Sequence, residues 1–388
     1  MTDIDWHKIK FLESSGNIRP LIKLRLGRVP SSTVAREITV CIQQGRLFYE
    51  AAAKAPLEIR PLQLFYGMVG FAKALILARD SRSLTTLKHS HGITDISDEK
   101  CKLSDLKIKI GSSGTFQEFN DTVSDLNRIC YFGKSHSPCA QYLPTAKSNQ
   151  INGVEISLKE TLSRIPDLED LFKSTFNEYP NTEIIDLNFR AEDNDRCEIR
   201  IDDPQIFKNR EELIEIVNRW RHRFPFLKQW QIHSATHCWG NSIIEFENII
   251  PQENEFSPEL FTAENFSFSR PSRDGARVDF KSILAPLAGG YSHPPRAISP
   301  FNGLILSEFS LHYLALFLLS SLVRYRPQTW GHSISRSVTA ELPADDEILA
   351  LLEKFMGLNQ TLIPQLVSAA LNPREDKYAQ QADQADGK

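Results

Sequence analysis

The sequence predicts an α+β protein that is predominantly α-helical, a helical core interrupted by a small α/β insertion. Three observations predict it. Apolar residues recur at three- and four-residue spacing from Ser31 to about Arg79 and again after Pro286, the period of amphipathic helices. Between Thr182 and about Ile250 the period falls to two, as in half-buried strands. A helix-length apolar run, Leu304 to Val323, supplies enough greasy surface to anchor the core.

Each element follows from a local signal. Ser31 and Ser32 are cap candidates for a first helix, whose stripe is Val34, Ile38, Cys41, Ile42, Leu47, Phe48 and Ala52. Pro56 and Pro61 break the chain before a second helix with Leu64, Met68, Phe71 and Leu75 on one face, and so short a break favours an antiparallel hairpin. In the middle zone, Ile185, Leu187 and Phe189 share a face, as do Cys197, Ile199 and Ile201, while Ile244 and Phe246 alternate with Glu245 and Glu247. A helix from about Arg210 to Phe224 lies between these strands. The helical pattern returns with Leu304 to Tyr325 and then a last helix, capped by Asp345 or Asp346, running through Leu349, Leu352, Phe355 and Met356 toward Leu371. The expected parts are therefore residues 1–175 and 285–372 as the two halves of the helical core, 180–280 as the insertion, and 373–388 as a polar, flexible tail.

Bulk properties bound the function. The 388 residues suffice for two or three domains, or for one large domain with an insertion. A net charge of −4 argues against a general nucleic-acid coat and leaves room only for a local basic groove. The six cysteines form no Cys-x-x-Cys pair, and the N-terminus lacks the basic-then-apolar layout of a secretion signal, so a cytoplasmic protein is expected. Glu308, Ser310, His312, Ser320 and Ser321 interrupt the Leu304 run. A charge inside a span costs about 2.5 to 3.5 kcal/mol on insertion scales, so a core helix and no membrane contact are expected.

Candidate chemistry centres on that run. Glu308 and His312 are four apart and so share a helix face, where a carboxylate can set an imidazole's tautomer for acid-base work or simply clip the helix to a neighbour. Arg326 and His332 flank Pro327, which should end the helix and leave both at a helix-to-loop edge able to converge on a phosphate. Arg82 and His89 have a comparable spacing, so spacing alone does not decide. The stretch Arg219 to Trp230 mixes cations with aromatics as single-strand binders do, but Leu213, Val217, Trp220 and Phe224 also read as the buried stripe of an ordinary helix.

Other motifs are weaker. His233, His237 and Cys238 offer three ligand types without a fourth at recognisable spacing, so no metal is expected. His89-Ser90-His91-Gly92 is too short to count as a site by itself. Gly111-Ser112-Ser113-Gly114-Thr115 lacks a P-loop lysine and reads as a hairpin turn. No nucleophile elbow, zinc-protease motif or dinucleotide fingerprint is present, and no cofactor is expected.

From about Ser31 to Leu371 the chain resembles the YaaC-like proteins. The resemblance is carried by Pro61 to Gly67 running into Ala72-Lys73-Ala74, by His91-Gly92 and Gly114-Thr115-Phe116, and by Ser307-Glu308, His312, Arg324-Tyr325 and Trp330. The hairpin with the Arg326 to His332 element also resembles the helical HEPN superfamily, which implies a HEPN-like core and metal-independent RNA cleavage in prokaryotic defence or toxin systems. That resemblance makes Arg326 the group that steadies the scissile phosphate and His332 the acid or base, often with a homodimer or partner protein completing the site. Pro327 departs from the pattern, where a polar residue is more typical.

Two functions are therefore open. One is an RNA-binding protein or endoribonuclease with Arg326, His332, Glu308 and His312 as catalytic groups and Arg324, Lys73, Tyr325 and Trp330 as substrate contacts. The other is a non-catalytic interaction or regulatory subunit in which Glu308, His312 and Arg324 form a structural network.

Overall fold

A computed structural model describes residues 6–126, 128–132, 138–142, 145–189, 197–203, 210–238, 241–247, 249–250, 267–269, 276–277, 287–288, 296–335 and 346–373. Most of the regular structure is helical, with small antiparallel sheets.

The hairpin expected from the proline break is present as Ser32–Lys54 and Arg60–Asp80. The Ser31 side chain accepts a hydrogen bond from the Val34 N–H at 3.2 Å, and Pro61 opens the second helix, where its missing donor costs nothing. The two helices approach until their backbones touch: a Cβ on Gly70 would stand 2.9 Å from the Gly45 nitrogen and 3.0 Å from the Cys41 carbonyl oxygen. Arg60–Asp80 is, among the described residues, the one helix long and apolar enough to cross a membrane, and it is mostly enclosed by protein.

The Leu304 run becomes the helix Glu308–Tyr325, which packs on the second hairpin helix and is buried from Glu308 through Leu322. Its start is fixed by Ser307, whose hydroxyl accepts from the Ser310 N–H at 3.1 Å. The last helix, Leu349–Leu371, follows a short 3₁₀ turn at Asp346–Ile348 and closes the same apolar core. The tail expected from residue 373 onward lies, beyond Pro373, outside the described residues.

Two features differ from the helical pattern expected for residues 1–175. A three-stranded sheet in the order Ile93–Asp95, Lys107–Ile110, Glu155–Ser157 lies there, together with a hairpin of Arg128–Phe132 and Pro138–Tyr142. These strands have three to five residues each, too few for a period to declare itself against helical neighbours. Gly111 to Thr115 is also not a hairpin turn, because it feeds directly into the helix Thr115–Asp125. Gly114 takes φ 149°, open to glycine alone, and Gly92 faces it so closely that a Cβ there would stand 2.9 Å from the Gly114 Cα.

The middle zone has its own core. Five antiparallel strands run in the order Ser267–Ser269, Gln231–Cys238, Asn241–Glu247, Cys197–Asp202, Asp186–Phe189, and the helix Arg210–Arg223, through Val217 and Trp220, packs together with Phe224 just after it onto Ile199, Ile201, Ile244 and Phe246. The antiparallel pattern continues to Ile298, because Arg296–Ile298 pairs with Thr182–Ile184. The segment thus departs and returns at one place, where the Ser299 N–H donates to the Asn181 carbonyl at 2.8 Å. Arg296 is anchored there by Asp167 and Glu169, each at 3.2 Å.

Candidate functional site

The C-terminal end of the Glu308–Tyr325 helix opens onto a cleft of about 710 Å³. One wall is Phe317, Ser321, Arg324, Tyr325 and Arg326, and the other is made by the segments Ser90 to Asp95 and Gly111 to Ser113. The Gly92–Gly114 approach holds these two segments together, and Gln117 ties both by donating to the Gly92 and Gly111 carbonyls at 2.6 and 2.8 Å.

The chemistry of the walls is cationic and donor-rich. The Arg324 guanidinium lies 5.8 Å from the Phe65 ring centre and 5.0 Å from that of Tyr325, bonded only to groups of Ser320. Among the described residues it has no carboxylate partner. His91 packs its ring edgewise on Phe65 and Phe317. Burial, then the charges of Arg324 and Lys73, hold its pKa below the usual imidazole value, so it is neutral at pH 7. Ser112 and Ser113 are exposed and make no hydrogen bond to other described residues, which leaves their donors for a ligand.

Arg326 is committed elsewhere. Its guanidinium donates to the Asp95 carboxylate at 2.6 Å and to the Asp98 carbonyl at 3.2 Å. Desolvation opposes the charge on Asp95, but hydrogen bonds from Ser97 and Ser321 and the nearby Arg326 prevail and hold its pKa below the usual carboxylate value. The pair braces the cleft floor, with one negative charge already inside.

Several residues expected at the site lie apart from it. Glu308 and His312 do face each other, with Oε1 3.9 Å from Nε2, but both are fully enclosed in the helical core and lack access to the cleft. The reason is the position of Glu308 at the first helical residue, at the buried end of a helix whose opposite end meets the cleft. Trp330 is 2% exposed and spends its indole N–H on the Glu58 carbonyl at 3.0 Å, so it seals the structure and offers no stacking face. Pro327 does not leave a loop after it. It occupies the first position of a new helix, Pro327–Ser335, where its fixed φ suits helix entry. His332, on that helix, is not among the residues that line the cleft. Lys73 acts on His91 through its charge and is not among the residues that line the cleft.

The Arg219 to Trp230 stretch is absorbed internally. Trp220, Phe224 and Trp230 are buried, the Trp220 indole and Arg219 share Asp203 at 2.8 and 2.7 Å, and Arg223 is held by Glu183. Of the expected substrate contacts, Arg324 and Tyr325 line the cleft together. His91, Asp95, Ser112 and Ser113 were missed as site residues. The signal for them was the pair His91-Gly92 and Gly114-Thr115, two glycines whose mutual contact only the fold displays.

A family model described as YaaC-like Protein matches residues 27–371. Comparison with curated proteins and with solved structures gave no match.

Proposed function

The chain belongs to the YaaC-like family, and from that premise we propose that it binds single-stranded RNA in the cleft, holding a phosphate between Arg324 and the Ser112–Ser113 donors with a base laid on Tyr325. The observation that carries this reading is Arg324: a half-buried guanidinium that faces an open cleft and, among the described residues, has no carboxylate to neutralise it. Arginine is the side chain best suited to fork two hydrogen bonds onto a phosphate. Tyr325, 71% exposed at the rim, supplies the sequence-tolerant stacking that single-strand binders use.

The reading is of binding without cleavage. The HEPN resemblance calls for Arg326 and His332 on one phosphate, whereas Arg326 is held by Asp95 and His332 does not line the cleft. His91 is the imidazole at the walls, and burial together with the charges of Arg324 and Lys73 favours its neutral form, which suits it to accept a hydrogen bond from a ribose hydroxyl.

A labelled RNA decamer titrated with the full chain at two salt concentrations tests the proposal by fluorescence anisotropy. Saturable binding is expected, with Arg324→Ala weakening it about tenfold and lowering the salt slope by about one. Tyr325→Ala should weaken binding without altering that slope. Binding that ignores Arg324→Ala, or no binding to the decamer, ends the proposal.

The second reading, a non-catalytic interaction or regulatory subunit with a structural network of Glu308, His312 and Arg324, is favoured by the complete enclosure of Glu308 and His312, whereas Arg324 bonds Ser320 and lines the cleft. It is compatible with RNA binding at the cleft.

A further inference from the structure

Three residues on three different strands meet on the face of the five-stranded sheet turned away from its helix: Glu198, His233 and Glu247. Glu247 lies directly across the ladder from Glu198, and the two are only 7% and 5% exposed. Like charges placed opposite one another on a sheet repel, the more so out of water.

His233 reaches them through an irregularity. Ile232 pairs with Phe246 and Ser234 with Glu245, so His233 is an extra residue in its strand. Strict alternation from Ala235, which is wholly buried in the apolar core, would send His233 into that core as well. The bulge re-aims it, and its Nδ1 comes to lie 3.3 Å from Glu247 Oε2. One donor atom from each of the three residues lies within 4.8 Å of the other two.

We propose that Glu198, His233 and Glu247 form a binding site for one divalent first-row transition-metal ion, with Zn²⁺ the best match. Ligand bonds of about 2.0 to 2.2 Å put neighbouring donors of a tetrahedral site about 3.3 to 3.5 Å apart, the separation of His233 from Glu247. Two carboxylate oxygens and one imidazole suit zinc or manganese, whereas magnesium and calcium prefer oxygen alone. Three protein ligands leave a coordination position for water. The ion offsets the repulsion between the two glutamates and ties three strands through one centre. The cluster is invisible along the sequence, where His233 pairs most naturally with His237 and Cys238.

The full chain, stripped of metal by chelator and dialysed, is titrated calorimetrically with Zn²⁺ and separately with Mn²⁺ at neutral pH. One equivalent per chain is expected, with a higher melting temperature in the loaded protein. Glu198→Gln and His233→Ala should each weaken the affinity at least about tenfold and cancel the thermal shift, while His237→Ala and the cleft variant Arg324→Ala leave both intact. Glu198→Gln keeps the side chain's volume, so its melting curve in chelator separates lost binding from lost folding. No saturable binding to either ion, binding that survives both ligand substitutions, or binding lost in His237→Ala overturns the proposal.

Discussion

The Asn359 side-chain nitrogen lies 2.9 Å from Nδ1 of His312, in a core where neither residue reaches solvent. Asn359 Oδ1 accepts from the Tyr49 hydroxyl at 2.7 Å, so its amide must donate to Nδ1 and the imidazole proton sits on Nε2. Phe355 stacks beneath the ring at 5.3 Å. One amide thus joins the first hairpin helix, the central helix and the last helix.

Replacing that amide exposes its structural weight. Asn359→Leu leaves the Tyr49 hydroxyl and His312 Nδ1 without partners inside the core, a loss of about 2 to 4 kcal/mol. Urea denaturation measures it, and RNA affinity should not move. A change under about 0.5 kcal/mol would show that the relay contributes nothing.

Acid should act through the same histidine. Burial pushes the His312 pKa down to about 3, against an ordinary value near 6.5, so the fold favours the neutral ring. Its contribution is complete above about pH 6.5 and is lost as pH falls toward 3. Stability compared at pH 7 and pH 4.5 should drop by a few kcal/mol in the wild type. It should drop less in His312→Gln, which can still accept from Asn359 but cannot take up the proton.

The hairpin contact gives an opposed pair of glycine substitutions. Alanine in a helix gains about 1 kcal/mol over glycine. At Gly70 the new methyl meets backbone atoms at 2.9 and 3.0 Å, which cannot rotate away, and overpacking of about 1 to 3 kcal/mol wins. At Gly357 nothing lies within 4 Å. Thermal melts should therefore show Gly70→Ala destabilised and Gly357→Ala stabilised, and two shifts of the same sign would refute the packing argument.

The Arg326–Asp95 brace sets the charge of the cleft. Asp95→Asn removes the one carboxylate among the described lining residues and releases Arg326, so RNA affinity should rise and the salt slope steepen by about one. Stability should fall by about 1 to 3 kcal/mol, because Ser97 and Ser321 also bond that carboxylate. Anisotropy and melting on one preparation report both, and weaker RNA binding would place the ligand elsewhere.

The helical skeleton was legible because Ile38, Cys41 and Ile42, or Leu64, Met68 and Phe71, repeat at a spacing that only a helix satisfies. The inserted sheet was legible from a different period, the two-residue alternation of Ile244 and Phe246 with Glu245 and Glu247. The cleft was legible only in part. Arg324 and Tyr325 stand out at the end of an apolar run, whereas His91 and Ser112 owe their position to Gly92 and Gly114, a contact between segments about twenty residues apart. Glu308 and His312 misled, because four-residue spacing shows that two side chains share a face and says nothing of whether that face meets water. Pro327 misled similarly: its ring stops one helix and starts another with equal ease.

The hydrogen bond from Ser299 to Asn181 closes the stem from which the middle region grows. Strands Thr182–Ile184 and Arg296–Ile298 leave and rejoin side by side, and the inserted segment carries its own apolar centre around Trp220 and Trp230. A short turn would span that stem, so the chain path of the helical body, with its cleft, does not depend on threading through the inserted segment.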